Sequence, residues 1–317
     1  MGSSEALNYC WSSLPNVSRS FALTIPYIDE SIRDKVMLGY LEARILDTIE
    51  DSDIEKGMKL RLMDLWLSVL AVERWNDNVV RAIEKNLDEL SCVCKFIGNE
   101  YYKGLMQNAK KVIEVHKEMG AGFWKICYRW FNEMKEGMKE FLSRRIETFE
   151  DLDRYTYYVA GTVGGFLTDL VALEIKDSSV VERLKEDAED VGMFLQKVNV
   201  IRDYRVDTLE GRHFWPAKLL GNYSYDDLLK EENMRDSLRI LSAMVKEARR
   251  HVQRCERYIS SIPERLKGYR SFVAINYLMA LRTLEKVEGN PALFLSQEPV
   301  KIGRDEVSRI IKEVTKS

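Results

Sequence analysis

Proline and glycine are scarce, at 6 and 17 of 317 residues, which argues against the turn-rich layout of a sandwich or barrel. No alternating apolar and polar run reads as a strand, no segment is of low complexity, and no repeat recurs. Long apolar runs are missing too. The longest uncharged stretch, 155–168, has about 14 residues, whereas a bilayer span needs roughly 20, so no transmembrane anchor is expected. No signal peptide opens the chain, and Met1–Ser4 are set aside as an expression remnant. The expected location is cytoplasmic, either free or peripheral at a membrane surface. A net charge of −3 excludes the clustered basic surface of a general nucleic-acid binder. The five cysteines show no CxxC spacing and are expected to be buried free thiols in a reducing compartment. Cys92 and Cys94 have no neighbours that would complete a zinc set. There is no GxGxxG and no P-loop. His116, His213 and His251 form no ligand pattern and are expected at the surface or at caps.

What is present points to helices. The chain is 45% hydrophobic and 31% charged, enough to bury a core, and Leu, Glu, Lys, Met and Ala are frequent helix formers. Asp29-Glu30-Ser31 leads into a helix through Asp51, with Ile32, Val36, Leu38, Leu41, Ile45 and Ile49 on its apolar face. Further helices are expected over 54–75, 76–87, 90–105, 109–118, 122–145, 151–173 and 180–203. A loop holding Gly211, Phe214, Trp215 and Pro216 follows, then helices over 225–231, 233–262, 266–286 and 305–314. One all-α domain over 1–317 is the economical reading.

Two groups of polar residues stand out within these helices. Asp47, Glu50 and Asp51 fall at i, i+3 and i+4, so three carboxylates share one face. Like charges so placed repel, and a divalent cation turns the repulsion into a site; magnesium suits such oxygen ligands and bridges to phosphates. The other reading is a solvated helix end running into Ser52 and Asp53. Further on, Asn199, Asp203 and Asp207 repeat every four positions, and Gln196 extends the row through an apolar helix. Unpaired, these groups would be costly to bury, so they call for a ligand; a surface helix end is the alternative. Two such helices could clamp magnesium around a diphosphate. Arg19, Arg44, Arg202 and Arg212 lie near these motifs and offer planar forks for phosphate oxygens.

Tyr155-Thr156-Tyr157-Tyr158-Val159-Ala160-Gly161-Thr162-Val163-Gly164-Gly165 places three glycines within five positions. Each costs roughly 1 kcal/mol of helix stability against alanine. Close helix packing or a break beside a cavity would explain them.

Read together, these blocks resemble the squalene and phytoene synthase family, its squalene branch most closely. Ser18-Arg19-Ser20-Phe21 is similar to the family's opening phosphate-contact motif, and 40–51 to its first aspartate-rich helix. Residues 155–165 resemble its YxxYVAGxVG segment, 195–207 its LQKxNxIRDxxxD segment, and Gly211-Arg212-His213-Phe214-Trp215-Pro216 its GRxFWP loop. Val300-Lys301-Ile302 resembles a segment near its reductant site. The six blocks run in order over about residues 18 to 304.

The resemblance implies a single-domain, all-α isoprenoid-synthase bundle around a central apolar channel. It implies magnesium, with manganese as a substitute, held by Asp47, Glu50, Asp51, Asn199, Asp203 and Asp207. Ser18, Arg19, Phe21, Tyr40, Arg44, Asn199, Arg202, Arg212 and Phe272 would meet farnesyl diphosphate, and Tyr155 would assist proton loss. Ser20, Lys301 and Arg304 would meet NADPH. The implied reaction joins two farnesyl diphosphates head to head through presqualene diphosphate and reduces the product to squalene, a hydrocarbon released to the membrane by a monomer. Carbocations require a dry pocket, which the apolar residues of 272–281 could line. Val206 stands where the family usually has glutamate, Asn276-Tyr277 where it has Pro-Gln, and Gly303 where a basic residue is common. The last two departures bear on the reductive step, so coupling is the better supported half. The alternatives within the family are dehydrosqualene, phytoene or presqualene diphosphate synthesis. An all-α magnesium-dependent nucleotide pyrophosphatase and a non-catalytic scaffold are alternatives outside it.

Overall fold

The computed structural model describes residues 2–18 and 20–316, leaving the side chains of Gly2 and Ser3 undescribed. Among the described residues there is no strand. The chain divides into two compact units, Met1–Leu142 with Phe166–Lys176, and Ser143–Gly165 with Asp177–Ser317.

The first unit holds α1 (Gly2–Val17), α2 (Glu30–Asp51), α3 (Lys56–Leu70), α4 (Asp77–Leu90), α5 (Glu100–Gln107), α6 (Ala109–Glu118) and α7 (Gly120–Phe141). All six residues expected on the apolar face of α2 are buried. They pack among α1, α6 and α7, and each aliphatic side chain removed from water contributes about 1.5–3 kcal/mol. Trp66, Phe123 and Phe131 fill the remaining core. Helix α1 is absent from the sequence-based expectation, which began at Asp29. Its signal was nevertheless present: Ala6, Cys10, Leu14 and Val17 are buried at spacings of three and four. Pro15 in the last turn and the polar residues between them masked it.

The helix expected over 90–105 is interrupted. Asn99 accepts hydrogen bonds from the backbone N–H groups of Tyr101 and Tyr102 at 2.9 and 3.2 Å, so it caps a new helix. A 3₁₀ segment, Ser91–Phe96, precedes it.

The second unit contains α8 (Phe149–Thr156), a π-helical turn (Tyr157–Gly161), the start of α9 (Thr162–Ala172), α10 (Ser178–Arg202), α11 (Tyr204–Leu209), α12 (Met234–Arg249), α13 (Val252–Ser261), α14 (Lys267–Val287) and α15 (Arg304–Lys316). Helix α10 is its centre, packed by α12, α13, α14 and the π turn. Thr148 and Asp151 form a reciprocal capping box at the start of α8. The helix expected over 233–262 is broken at Arg250 and His251. The backbone N–H of His251 reaches Ala248 O at 3.2 Å, a tightened turn, while its side chain turns inward.

Close packing accounts for Gly164 in the Tyr155 segment and for Gly192 on the facing helix. A Cβ on Gly164 would stand 2.0 Å from the Ala188 carbonyl oxygen, and one on Gly192 would stand 1.9 Å from that of Ala160. The π turn therefore lies backbone to backbone against α10.

Two composition-based expectations need correction. Cys10, Cys94, Cys127 and Cys255 are buried free thiols, but Cys92 is exposed. Only His213 is an exposed histidine; His116 and His251 are buried because each finds a carboxylate partner. No described helix is long and apolar enough to cross a membrane.

Candidate active site

In the first unit, a chain of contacts runs from the Ser18 segment to α2. Ser18 Oγ accepts the backbone N–H of Phe21 at 3.1 Å. The Phe21 ring lies 5.3 Å from that of Tyr40, and the Tyr40 hydroxyl donates to Val17 O at 2.9 Å. Arg44 Nη2 donates to the Tyr40 hydroxyl at 3.2 Å, and the guanidinium sits 5.5 Å from the rings of both Tyr40 and Tyr102. Its Nη1 reaches Asp47 Oδ2 at 3.3 Å, while its Nε is buried without a hydrogen-bond partner. A planar cation held against two rings with a donor to spare is suited to an oxyanion. Ser20 is exposed, and Arg19 lies outside the described residues.

Helical spacing brings Asp47, Glu50 and Asp51 together as expected. Burial lifts the Asp47 carboxyl to about 6, with Arg44 opposing and Asp51 adding to the rise. Glu50 is pushed up to about 8 by burial and then by Asp51 and Asp47, against the pull of Lys59. Two acids driven to hold protons near neutrality mark a place short of positive charge.

In the second unit, Asn199, Asp203 and Asp207 continue one helical row. Asp203 N–H donates to Asn199 O, and Asp207 N–H to Asp203 O, both at 2.9 Å. Gln196, Asn199 and Asp203 are half-buried and Asp207 is buried. Each aspartate has an arginine: Arg202 Nε donates to Asp203 Oδ1 at 2.8 Å, and Arg212 Nη2 to Asp207 Oδ1 at 2.7 Å. Burial raises the Asp207 carboxyl even against Arg212. Gly211 has φ +75°, and the reversal it permits returns Arg212 to Asp207.

The same loop holds Tyr155. The Phe214 ring stacks on it with centroids 5.1 Å apart and planes at 23°. Trp215 is anchored beneath by its indole N–H to Val200 O at 3.1 Å. Phe272 is buried in α14 with its ring beside Tyr269. Lys301 and Arg304 are exposed at the start of α15. Asn276 and Tyr277, the unusual pair, are buried and bonded to Phe272 O and Glu256 Oε1.

Sequence reasoning missed a buried charge network beside this site. Lys197 is 1% exposed. Its ammonium donates to Asp153 Oδ1 and, at 2.8 Å, to Glu247 Oε1, and it lies 2.9 Å from His251 Nε2. His251 Nδ1 is 2.6 Å from Asp190 Oδ1, and Arg254 donates to Asp190 Oδ2. Burial would raise Glu247, but Lys197 and Arg250 hold it below the usual carboxylate range. The network ties α8, two residues before Tyr155, to α10 beside Asn199. A lysine between Gln196 and Val198 in an apolar helix was the available signal.

Residues 14–306 match the squalene/phytoene synthase family. The chain belongs to that family. It is 33% identical to the squalene synthase of Cyberlindnera jadinii over 315 residues, covering 98% of this chain and 68% of that protein. Against the squalene synthase of Schizosaccharomyces pombe the identity is 34%, with 97% and 65% covered. The chain thus spans about two thirds of the length of these relatives. A solved structure of TcSQS with a bound ligand superposes with a TM-score of 0.85 at 31% identity, covering 98% of this chain and 86% of that one. A dehydrosqualene synthase, at TM-score 0.62 and 19% identity over 99% and 96%, shares the fold. The chain is therefore an all-α enzyme of the prenyltransferase type, as the resemblance implied.

Proposed function

We propose that residues 1–317 act as one synthase domain that joins two farnesyl diphosphates head to head through presqualene diphosphate and reduces the product to squalene with NADPH. The observation that carries this reading is the pairing of carboxylate with arginine in both acidic clusters, Arg44 with Asp47 and Arg212 with Asp207, in a chain of this family.

The donors fit magnesium. Asp47, Glu50 and Asp51 in one cluster, and Asn199, Asp203 and Asp207 in the other, offer only oxygen ligands. When bound, magnesium, or manganese in its place, would neutralise charge on the leaving diphosphate, and NADPH would supply the hydride. Each cluster binds diphosphate through its carboxylates and the metal they would hold. Arg19, Arg44, Arg202 and Arg212 bind its oxygens, with Ser18 holding the Phe21 turn. Tyr155, held by Phe214, assists the proton loss that closes the cyclopropane. Phe21 and Tyr40 in one unit and Phe272 in the other offer apolar surface that keeps water from the carbocation. Ser20, Lys301 and Arg304 would meet NADPH. The enzyme works as a cytoplasmic monomer, free or peripheral at the membrane surface, and the hydrocarbon leaves into the membrane.

Substrate competition tests the reading. With magnesium, farnesyl diphosphate is expected to give a thirty-carbon product, and a nucleoside triphosphate to release no pyrophosphate. Preference for a twenty-carbon diphosphate would instead assign phytoene synthesis, and pyrophosphate from the nucleotide alone would assign a pyrophosphatase.

A further inference from the structure

Glu42, His116 and Cys127 project from α2, α6 and α7 into the core of the first unit, and all three are fully buried. Each offers a ligand atom, and these atoms lie within 4.8 Å of one another. His116 Nδ1 is 2.7 Å from Glu42 Oε1. Their backbones are fixed from outside: the Trp66 indole donates to Glu42 O at 3.1 Å and the Trp124 indole to His116 O at 2.6 Å. Two polar atoms of the cluster are nevertheless left over. Glu42 Oε2 and His116 Nε2 are buried with no hydrogen-bond partner, a costly state in a packed core.

We propose that Glu42, His116 and Cys127 form a structural site for one thiophilic divalent cation of the zinc class. The donor set decides the class. A thiol and an imidazole suit zinc or cobalt, whereas magnesium and calcium take oxygen ligands. The charge balance suits the location: a dication, a carboxylate and a thiolate sum to zero, so no net charge is placed in the dry core. Binding releases the Cys127 thiol proton to solvent, while the imidazole of His116 stays neutral and keeps one N–H. The three protein ligands leave one of zinc's usual four positions for a small exogenous ligand. The ion would bind three helices together two residues before Arg44. This site is separate from the candidate magnesium clusters and does not rest on the proposed reaction.

The test loads the full chain with cobalt and reads the near-ultraviolet thiolate-to-cobalt absorption. One equivalent retained through desalting, with that band, is expected. The band should vanish in Cys127→Ser, and cobalt affinity should fall more than tenfold in His116→Gln. An Asp47→Asn/Asp203→Asn double variant should keep the band, which separates this site from the acidic clusters. Absence of the band in the unaltered protein, or an equal band in Cys127→Ser, overturns the proposal. Zinc-edge X-ray absorption of the unaltered protein needs no variant to fold. One sulfur neighbour at about 2.3 Å supports the site, and a shell of nitrogen and oxygen alone refutes it.

Discussion

The Arg44 guanidinium reaches Asp47 across one helical turn, Nη1 to Oδ2 at 3.3 Å. With Lys59 drawing on Glu50, two cations thus answer three carboxylates, since Glu50 and Asp51 share that face. The imbalance is costly to a metal-free fold and useful to a metal-binding one. Asp47→Asn should therefore lower turnover by about two to three powers of ten, the size of losing one transition-state charge contact, while the thermal midpoint stays level or rises. Asp203→Asn should do the same. Product assays and thermal unfolding of the two variants check this; lost activity accompanied by a collapsed midpoint would point to a merely structural role.

The raised carboxyls make stability depend on pH in a stated direction. Glu50 titrates near 8 and Asp47 near 6, both above the ordinary carboxylate range. Groups raised in the fold favour the native state when protonated, so their contribution is fully present below about 4.5 and is lost as pH rises through 6 and then 8. Glu50→Gln should gain on the wild type in thermal midpoint between pH 5 and pH 9 without magnesium. Magnesium should stabilise the wild type at pH 8.5 and hardly at pH 5. A constant difference across that window would contradict the assignment.

Arg212 meets both Asp207 and Glu210 at 2.7 Å, and its planar fork is what a diphosphate would engage. Arg212→Met is expected to raise KM for farnesyl diphosphate at least tenfold. Arg212→Lys should recover little, because an ammonium presents a single point charge. Steady-state kinetics on the two variants decide it.

Lys197 compensates Asp153 and Glu247 with an ammonium that solvent hardly reaches. Lys197→Met takes the ammonium from Asp153 and leaves Glu247 to Arg250 alone, and should destabilise by about 1–3 kcal/mol. Denaturant unfolding measures this, and a loss below about 1 kcal/mol would show that the network relaxes.

Gly192 admits no side chain, with Ala160 O 1.9 Å from an added Cβ. Gly192→Ala must push the π turn away from α10, at about 1–3 kcal/mol for an overpacked contact. Because Tyr155 enters that turn, activity should fall further than stability explains.

Much of this was legible in the chain. Periodicity marked α2, α10 and α14, because each buries a broad apolar face, and i, i+3, i+4 spacing placed Asp47, Glu50 and Asp51 together without further knowledge. The break at Asn99 depended on a cap whose side chain competes locally with helix continuation, and α1 hid its apolar positions among polar ones. The buried histidines were illegible for a different reason. His116 depends on Glu42 and His251 on Asp190, partners 74 and 61 residues away, and nothing local announces such pairs. The glycines of 161–165 suit either close packing or a break beside a cavity, and only the distance to Ala188 O selects packing at Gly164.

The most direct test of the reaction follows labelled farnesyl diphosphate with magnesium, with and without NADPH. Squalene formed only when NADPH is present, and presqualene diphosphate accumulating without it, is the expected result. Dehydrosqualene formed regardless of NADPH, or no thirty-carbon product at all, would contradict the account.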